Sequence, residues 1–203
     1  MQIKKEDIKE RIISSARSEF LEHGYSGASL RVIANKAGLT KGAIYSYFKS
    51  KDSLFCELVS PAINFLKCSN DNKQLDVLTD PCDRTIQEFR RFAYAVLDNY
   101  QAFRLLLFCS AGSSLQNYKE HIIQQYAKNF RKAFLLFTAE QYEEGLFSEM
   151  FIHTLATTYF SFLEEIVLHR PDKQDINLYI DQIAVFVHCG INNLLQHVKS
   201  KDK

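Results

Sequence analysis

Residues 39–51 read LTKGAIYSYFKSK, a stretch rich in hydroxyls and flanked by lysines, with a glycine where a helix would make its first turn. Glycine inside a helix costs roughly 1 kcal/mol against alanine, so an ordinary core helix has no use for Gly42. On a helical wheel at about 100° per residue, Ile44 and Phe48 fall on one side with the ring of Tyr45. The opposite arc carries Thr40, Gly42, Ala43, Ser46 and Tyr47. It is small or hydroxyl-bearing throughout, unlike the Lys/Glu mixture of a solvated face. Small side chains let a helix backbone approach another surface closely. Hydroxyls and main-chain N–H groups near a helix start bond to phosphate oxygens. Lys41 and Lys51 add positive charge at either end. Two surfaces suit such an arc: the major groove of DNA, and the flank of another protein helix.

Residues for other chemistry are missing or badly spaced. There is no GxSxG, no P-loop, no GxGxxG after a strand, and no Cys/His placement that singles out a nucleophile. The histidines at 23, 121, 153, 169, 188 and 197 form no HExxH and no close ligand pair, so neither a metal nor a cofactor is expected. Cys56, Cys68, Cys82, Cys109 and Cys189 are odd in number and include no CxxC. They read as reduced thiols rather than a disulfide framework. The chain opens MQIKKEDIKER, without an apolar leader, and no apolar run approaches 18 residues. The expectation is a soluble, cytoplasmic protein with no membrane partner. An enzyme and a helical protein-interaction module remain the rival classes, and a salt-dependent DNA complex would separate them from a DNA-binding protein.

The elements that must position the arc are helical. Seven Gly and three Pro in 203 residues are few for a strand-and-turn protein, and 46% hydrophobic residues suffice for a sizeable core. Net charge is +1 overall, yet residues 1–60 hold ten Lys or Arg against seven Asp or Glu, a modest basic bias. Ile8, Ile12, Ala16 and Phe20 recur at steps of four, and Gly24 ends that helix. Ser29 caps a second helix with Leu30, Ile33, Ala34 and Ala37, which Gly38 stops. Thr40 caps the third and Ser50 a fourth reaching about Lys67. Three short helices with a Gly-containing turn between the second and third describe a helix-turn-helix unit. Pro61 falls inside the fourth helix and should kink or break it, because the carbonyl of Glu57 loses its donor. Such a break would make a joint. Residues 69–83 read as a loop. Longer helices follow at about 83–99, 101–111, 114–144, 148–169 and 174–199.

The segment IISSARSEFLEHGYSGASLRVIANKAGLTKGAIYSYFKSKDSLF resembles the N-terminal DNA-binding domain of the TetR family of bacterial transcriptional regulators. The resemblance covers roughly residues 6–60. It rests on Ile12, Ala16, Phe20, Gly24 and Tyr25, then on Ser29, Ile33, Ala34, Ala37 and Gly38. It continues through Thr40, Gly42, Ile44, Tyr45, Tyr47, Phe48, Lys51 and Leu54. It implies an all-α protein with a three-helix DNA-binding domain, residues 1–50, and a helical ligand-binding and dimerisation domain, residues 51–203. It also implies a homodimer on a palindromic operator, usually a repressor, released by a small molecule. Carried over position by position, Ser29 would touch phosphate, and Thr40 and Lys41 would lie near phosphate and base edges. Ala43 would face a base, Tyr45 and Tyr47 would reach phosphate or sugar, and Lys51 phosphate. Gly42 and Ser46 complete the interface. Where the family often has Thr or Ser, this chain has Ala43, so one hydroxyl contact is missing.

In the remaining two-thirds, aromatics crowd residues 84–134. Any cavity there should be apolar, with Phe92, Phe108, Cys109, Tyr126, Phe130 and Phe134 as candidate lining. No charged cluster announces a charged effector. The last two helices each carry two apolar stripes. Either both stripes are buried in one core, or one serves a partner. The resemblance places a four-helix dimer interface here. Its candidates are Tyr159, Phe162, Ile166, Ile183, Val187, Ile191 and Leu194.

Overall fold

A computed structural model describes residues 2–71, 81–137 and 147–201. Among these the protein is all-helical. In chain order the elements are α1 (Gln2–Gly27), α2 (Leu30–Lys36), α3 (Lys41–Tyr45), α4 (Lys51–Asp71) and α5 (Pro81–Asp98). They continue with α6 (Tyr100–Phe108), α7 (Tyr118–Phe137), α8 (Glu149–His169) and α9 (Lys173–Lys201). They form two compact units, one of residues 1–71 with 99–121, the other of residues 72–98 with 122–203. No helix among the described residues is long and apolar enough to cross a membrane.

Capping chemistry sets the helix ends as expected. The Ser29 hydroxyl accepts from the Arg31 amide at 3.3 Å and the Thr40 hydroxyl from the Ala43 amide at 3.2 Å. Ser50 and Ser53 cap each other's amides at 2.9 and 3.0 Å, a reciprocal box opening α4. Gly24 leaves helical geometry at φ 64°, ψ 173°, and one further turn carries the chain to Gly27. After α2 the Leu39 amide reaches back to the Ala34 carbonyl at 2.8 Å. That six-residue closure needs a left-handed residue, which Gly38 supplies at φ +67°.

The expected break at Pro61 does not occur: α4 is one helix through it. The carbonyl that proline orphans is that of Glu57, and the hydroxyl of Ser60 donates to it at 2.8 Å. On either side Leu58, Val59, Ala62 and Leu66 are buried, so packing holds both halves of the helix. Helix covers both ends of the loop expected at 69–83, since α4 reaches Asp71 and α5 begins at Pro81. Proline suits a first helical turn, where its missing N–H has no partner to lose. Residues 72–80 lie outside the described set. Helix α6 stops at Phe108 and α7 starts only at Tyr118, because residues between them bond to α1 and α4 instead of continuing a helix. The end expected at 144 also lies outside the described residues.

The first unit packs around Ile12, Ala16, Phe20, Ile33, Ile44 and Phe55, all at most 1% exposed. Phe20, Tyr25 and Phe55 form an aromatic knot with centroids 5.1 to 5.9 Å apart. In the second unit α5 packs on α8 and α9. Arg90 pairs with Asp181 at 2.6 Å and the Tyr94 hydroxyl bonds Asn177 at 2.8 Å.

Candidate nucleic-acid interface

Helix α3 is barely more than one turn, so its orientation is imposed by what it sits on. Ile44 and Phe48 anchor it in the core. Thr40, Lys41, Gly42 and Ser46 are exposed, while Ala43 and Tyr47 are half-buried at the edge. Tyr45 points outward with 48% exposure, away from the core side on which the wheel set its ring. Gly42 has no internal reason to be glycine. Its φ is ordinary, and a Cβ there would meet nothing nearer than the Thr40 hydroxyl at 3.8 Å. Tyr47 borders a shallow surface hollow with Lys5, Glu6 and Lys9. Lys9 is engaged by Glu57 at 2.6 Å.

Helix α2 is held by α1 at both ends. The buried carboxylate of Glu19, 2% exposed, accepts from the Ser29 amide at 3.2 Å and from the Lys36 ammonium at 3.0 Å. At the other end the Arg11 guanidinium donates to the Ala37 carbonyl. A side chain at Gly38 would press on that guanidinium at 2.7 Å. Sequence reasoning missed Glu19, although it stands seven residues after Ile12 and three after Ala16, on the apolar stripe itself. Glu19, Glu22 and His23 could in principle share a cation. The Lys36 ammonium, 3.0 Å from Glu19 and 3.7 Å from Glu22, already fills that role. Burial opposes ionisation of Glu19, but Lys36 and the Ser29 amide outweigh it and hold the carboxyl below its ordinary 4.5. A depressed carboxyl stabilises the fold above its unfolded pKa, and that stability is lost as pH falls through the folded value. Glu19→Gln should therefore melt lower than the wild type at pH 7, with the gap closing on acidification below about pH 4. Thermal melts across pH 3–7 check this. A constant gap would mean that the ionised clamp contributes nothing.

Lys51 lies with its ammonium 4.6 Å from the centroid of the Tyr25 ring, and burial lowers its pKa. It is a half-buried cation whose path is fixed by an aromatic face. The next residue, Asp52, faces the turn after α6. Its two oxygens accept from the Ser114 amide at 2.9 Å and the Ser114 hydroxyl at 2.7 Å. Those donors hold its carboxyl below the usual range against the cost of burial. The same turn is gripped from α1: the Tyr25 amide donates to the Cys109 carbonyl at 2.8 Å, and the Ser26 hydroxyl to the Ala111 carbonyl at 2.6 Å. Gly112, at φ +86°, lets the turn pass where a side chain would collide with Ser26. Adjacent residues of α4 thus serve the Tyr25 ring and the turn at 109–114.

The effector candidates fall into both units. In the first, Phe108 is 43% exposed and Cys109 half-buried, its thiol pKa raised by burial. In the second, Tyr126 and Phe130 meet the Tyr159 ring edge-on at 5.3 and 5.6 Å. Phe92 shares a narrow crevice with Ile183. Phe134 lies in α7, and its side chain is outside the described set. A larger cavity of about 310 Å³ opens between α7, α8 and α9. Of the effector candidates Phe130 lines it. Tyr159, Phe162, Val187, Ile191 and Leu194, the interface candidates, line it too. Ile166 is 5% exposed, buried within the protomer. The large apolar side chains that face outward on the two helices are Met150 and Leu168 on α8 and Leu178, Val185 and Phe186 on α9, 48 to 79% exposed, with Phe186 also bordering that space. Between Met150 and Leu168 the hydroxyls of Thr154, Thr157, Thr158 and Ser161 each donate to the carbonyl four residues back, at 2.8 to 3.0 Å.

Residues 12–58 match the model of the bacterial regulatory proteins of the tetR family. The chain is 34% identical over 76 residues to the HTH-type transcriptional regulator Rv1816 of Mycobacterium tuberculosis, which covers 37% of this chain and 32% of that protein. It is 33% identical over 73 residues to the HTH-type transcriptional repressor AcnR of Corynebacterium diphtheriae, covering 36% and 38%. The match thus spans about a third of the length of these curated relatives. Along most of the chain it is similar to the solved structure of the TetR family regulator PfmR of Thermus thermophilus. Identity there is 26%, coverage 88% of this chain and 94% of that one, and the TM-score 0.57. The helix-turn-helix held by α1 agrees with these likenesses: residues 12–58 belong with the bacterial regulatory proteins of the tetR family, and the helical remainder shares the fold of solved TetR family regulators.

Proposed function

We propose that the protein binds a palindromic DNA operator as a homodimer, represses transcription from it in the cytoplasm, and is released by a small, largely apolar molecule. The observation that carries this reading is the exposed arc of α3. Neither backbone conformation nor internal packing requires Gly42, so the space beside it serves something outside the protomer. Ser29, Thr40, Lys41, Gly42, Ala43, Tyr45, Ser46 and Tyr47, in a domain made of residues 1–50, form the DNA surface together with Lys51 at the start of α4. Residues 51–203 supply effector binding and dimerisation. The dimer forms through the outward stripes of α8 and α9. With each Thr and Ser hydroxyl committed inside α8, that stripe offers methyl groups and a close approach. A relative over the N-terminal segment bears the name repressor, which agrees with the sign proposed. Asp52 and its Ser114 partner are the coupling point, since a shift of the 109–114 turn would pull on the start of α4, one residue from Lys51.

Selection of bound sequences from random DNA with the purified protein tests the reading. A recovered inverted repeat supports it, and recovery of no sequence above background removes it. With that operator in hand, Lys51→Ala should weaken specific and nonspecific binding alike. It should also reduce the slope of log K against log salt by about one. An unchanged slope would take Lys51 off the phosphates.

A further inference from the structure

Lys51 stands where helix electrostatics disfavour it. It is the first residue of α4, and a cation there opposes the positive end of the helix dipole. The carboxylates that could offset this are engaged elsewhere. Asp52, the next residue, turns its two oxygens to the Ser114 amide and hydroxyl. Glu19, whose charge reaches Lys51 from α1, gives one oxygen to the Ser29 amide and the other to the Lys36 ammonium. What the Lys51 ammonium does have is the face of the Tyr25 ring, 4.6 Å from the centroid. That is well inside the roughly 6 Å over which an aromatic face attracts a cation.

The ring itself is fixed. The Tyr25 amide is tied to the Cys109 carbonyl at 2.8 Å. Its ring lies nearly parallel to that of Phe20, with centroids 5.9 Å apart, and meets Phe55 edge-on at 5.2 Å. Phe20 and Phe55 are fully buried, so Tyr25 is anchored in the core of the first unit and cannot follow the lysine. A free lysine side chain, by contrast, spreads its ammonium over many rotamers. A fixed ring face narrows that spread before any ligand arrives, and the ammonium still has donors to offer, since it carries three. Where one conformer alone meets a ligand, the apparent affinity falls with the fraction of that conformer. A lysine already held in the competent place therefore binds an anion more tightly than a loose one.

We propose that Tyr25 is a positioning residue for DNA binding: the face of its ring holds the Lys51 ammonium in the place from which it meets a backbone phosphate. This role rests on the reading of Lys51 as a phosphate contact. Full-length protein carrying Tyr25→Phe serves as the reference, and one, two or three fluorines on that ring weaken its attraction for a cation with little change of shape. Titrated with the selected operator, affinity should fall stepwise with each fluorine, by about tenfold across the series. In a Lys51→Ala background the same series should be flat, which a ring that only supports the fold would not give. A flat series with Lys51 present, an equal fall in both backgrounds, or tighter binding on fluorination overturns the role. A second measurement needs no DNA. In NMR spectra of the free wild-type protein, the ring current of Tyr25 should move the Lys51 ε-methylene protons upfield of those of an exposed lysine, and unshifted protons overturn the role. Failure of the underlying reading looks different: Lys51→Ala then leaves operator affinity and salt slope unchanged, and the role of Tyr25 falls with it.

Discussion

Replacing Gly42 with glutamate should abolish operator binding and leave the free protein folded. The position is exposed, its backbone is ordinary, and the nearest obstacle is the Thr40 hydroxyl at 3.8 Å, so the protomer accommodates the side chain. Against DNA the same side chain sets a carboxylate among phosphates, and like charges at an interface cost several kcal/mol. That corresponds to roughly a thousandfold in affinity. Gly42→Ala separates charge from bulk. It should melt slightly higher than wild type, since alanine favours the helix by up to about 1 kcal/mol, yet bind operator more weakly. Anisotropy titrations on a selected operator, paired with thermal melts, read both quantities. Undiminished affinity in a folded Gly42→Glu protein would take α3 out of the groove.

The second large effect is expected at Val185. It is 48% exposed on the outward stripe of α9, so an aspartate there is solvated in a lone protomer. In a two-fold interface each change occurs twice across one axis, and the charges would have to be desolvated together. Val185→Asp should therefore sediment as a folded monomer. Affinity for the palindrome should fall by about 10²–10⁴, the gain that linking two half-site contacts provides, while affinity for a single half-site persists. Ile166→Asp is the contrast, because Ile166 is buried within the protomer and its charge should prevent folding rather than pairing. If Val185→Asp remains dimeric at micromolar concentration, the interface lies elsewhere.

Much of the first unit was legible because its signals are local. Ser29, Thr40 and Ser50 cap the helices they precede, and Gly38 closes α2, through bonds spanning a few residues. The period of Ile12, Ala16 and Phe20 gave the core face of α1 directly. What escaped depends on contacts between distant segments. Glu19 looks like any helix acid until Ser29 and Lys36 fold over it. The turn at 109–114 is shaped by Tyr25, Ser26 and Asp52, more than fifty positions away, so its own letters suggested helix. Pro61 was misjudged for a nearer reason: the serine beside it supplies the hydrogen bond that proline removes. On α8 and α9 the two apolar stripes were visible, but which of their residues the protomer buries depends on where α5 packs. Of the residues read as interface, Tyr159, Phe162, Val187, Ile191 and Leu194 border one open apolar space in the protomer.

The grip of α1 on α2 has a kinetic consequence. A seven-residue helix has almost no stability of its own, since helices shorter than about 12–15 residues are marginal in water. Alone, the amides of Leu30–Lys36 would exchange with solvent almost freely. Here the Ser29 end is tied to Glu19 and the Ala37 end to Arg11, so α2 can open only when those ties to α1 break. Its amides should then exchange at the rate of α1's own central amides, as one cooperative opening unit. Glu19→Gln should let α2 exchange ahead of α1, and the proposed DNA surface would acquire a breathing motion that the wild type lacks.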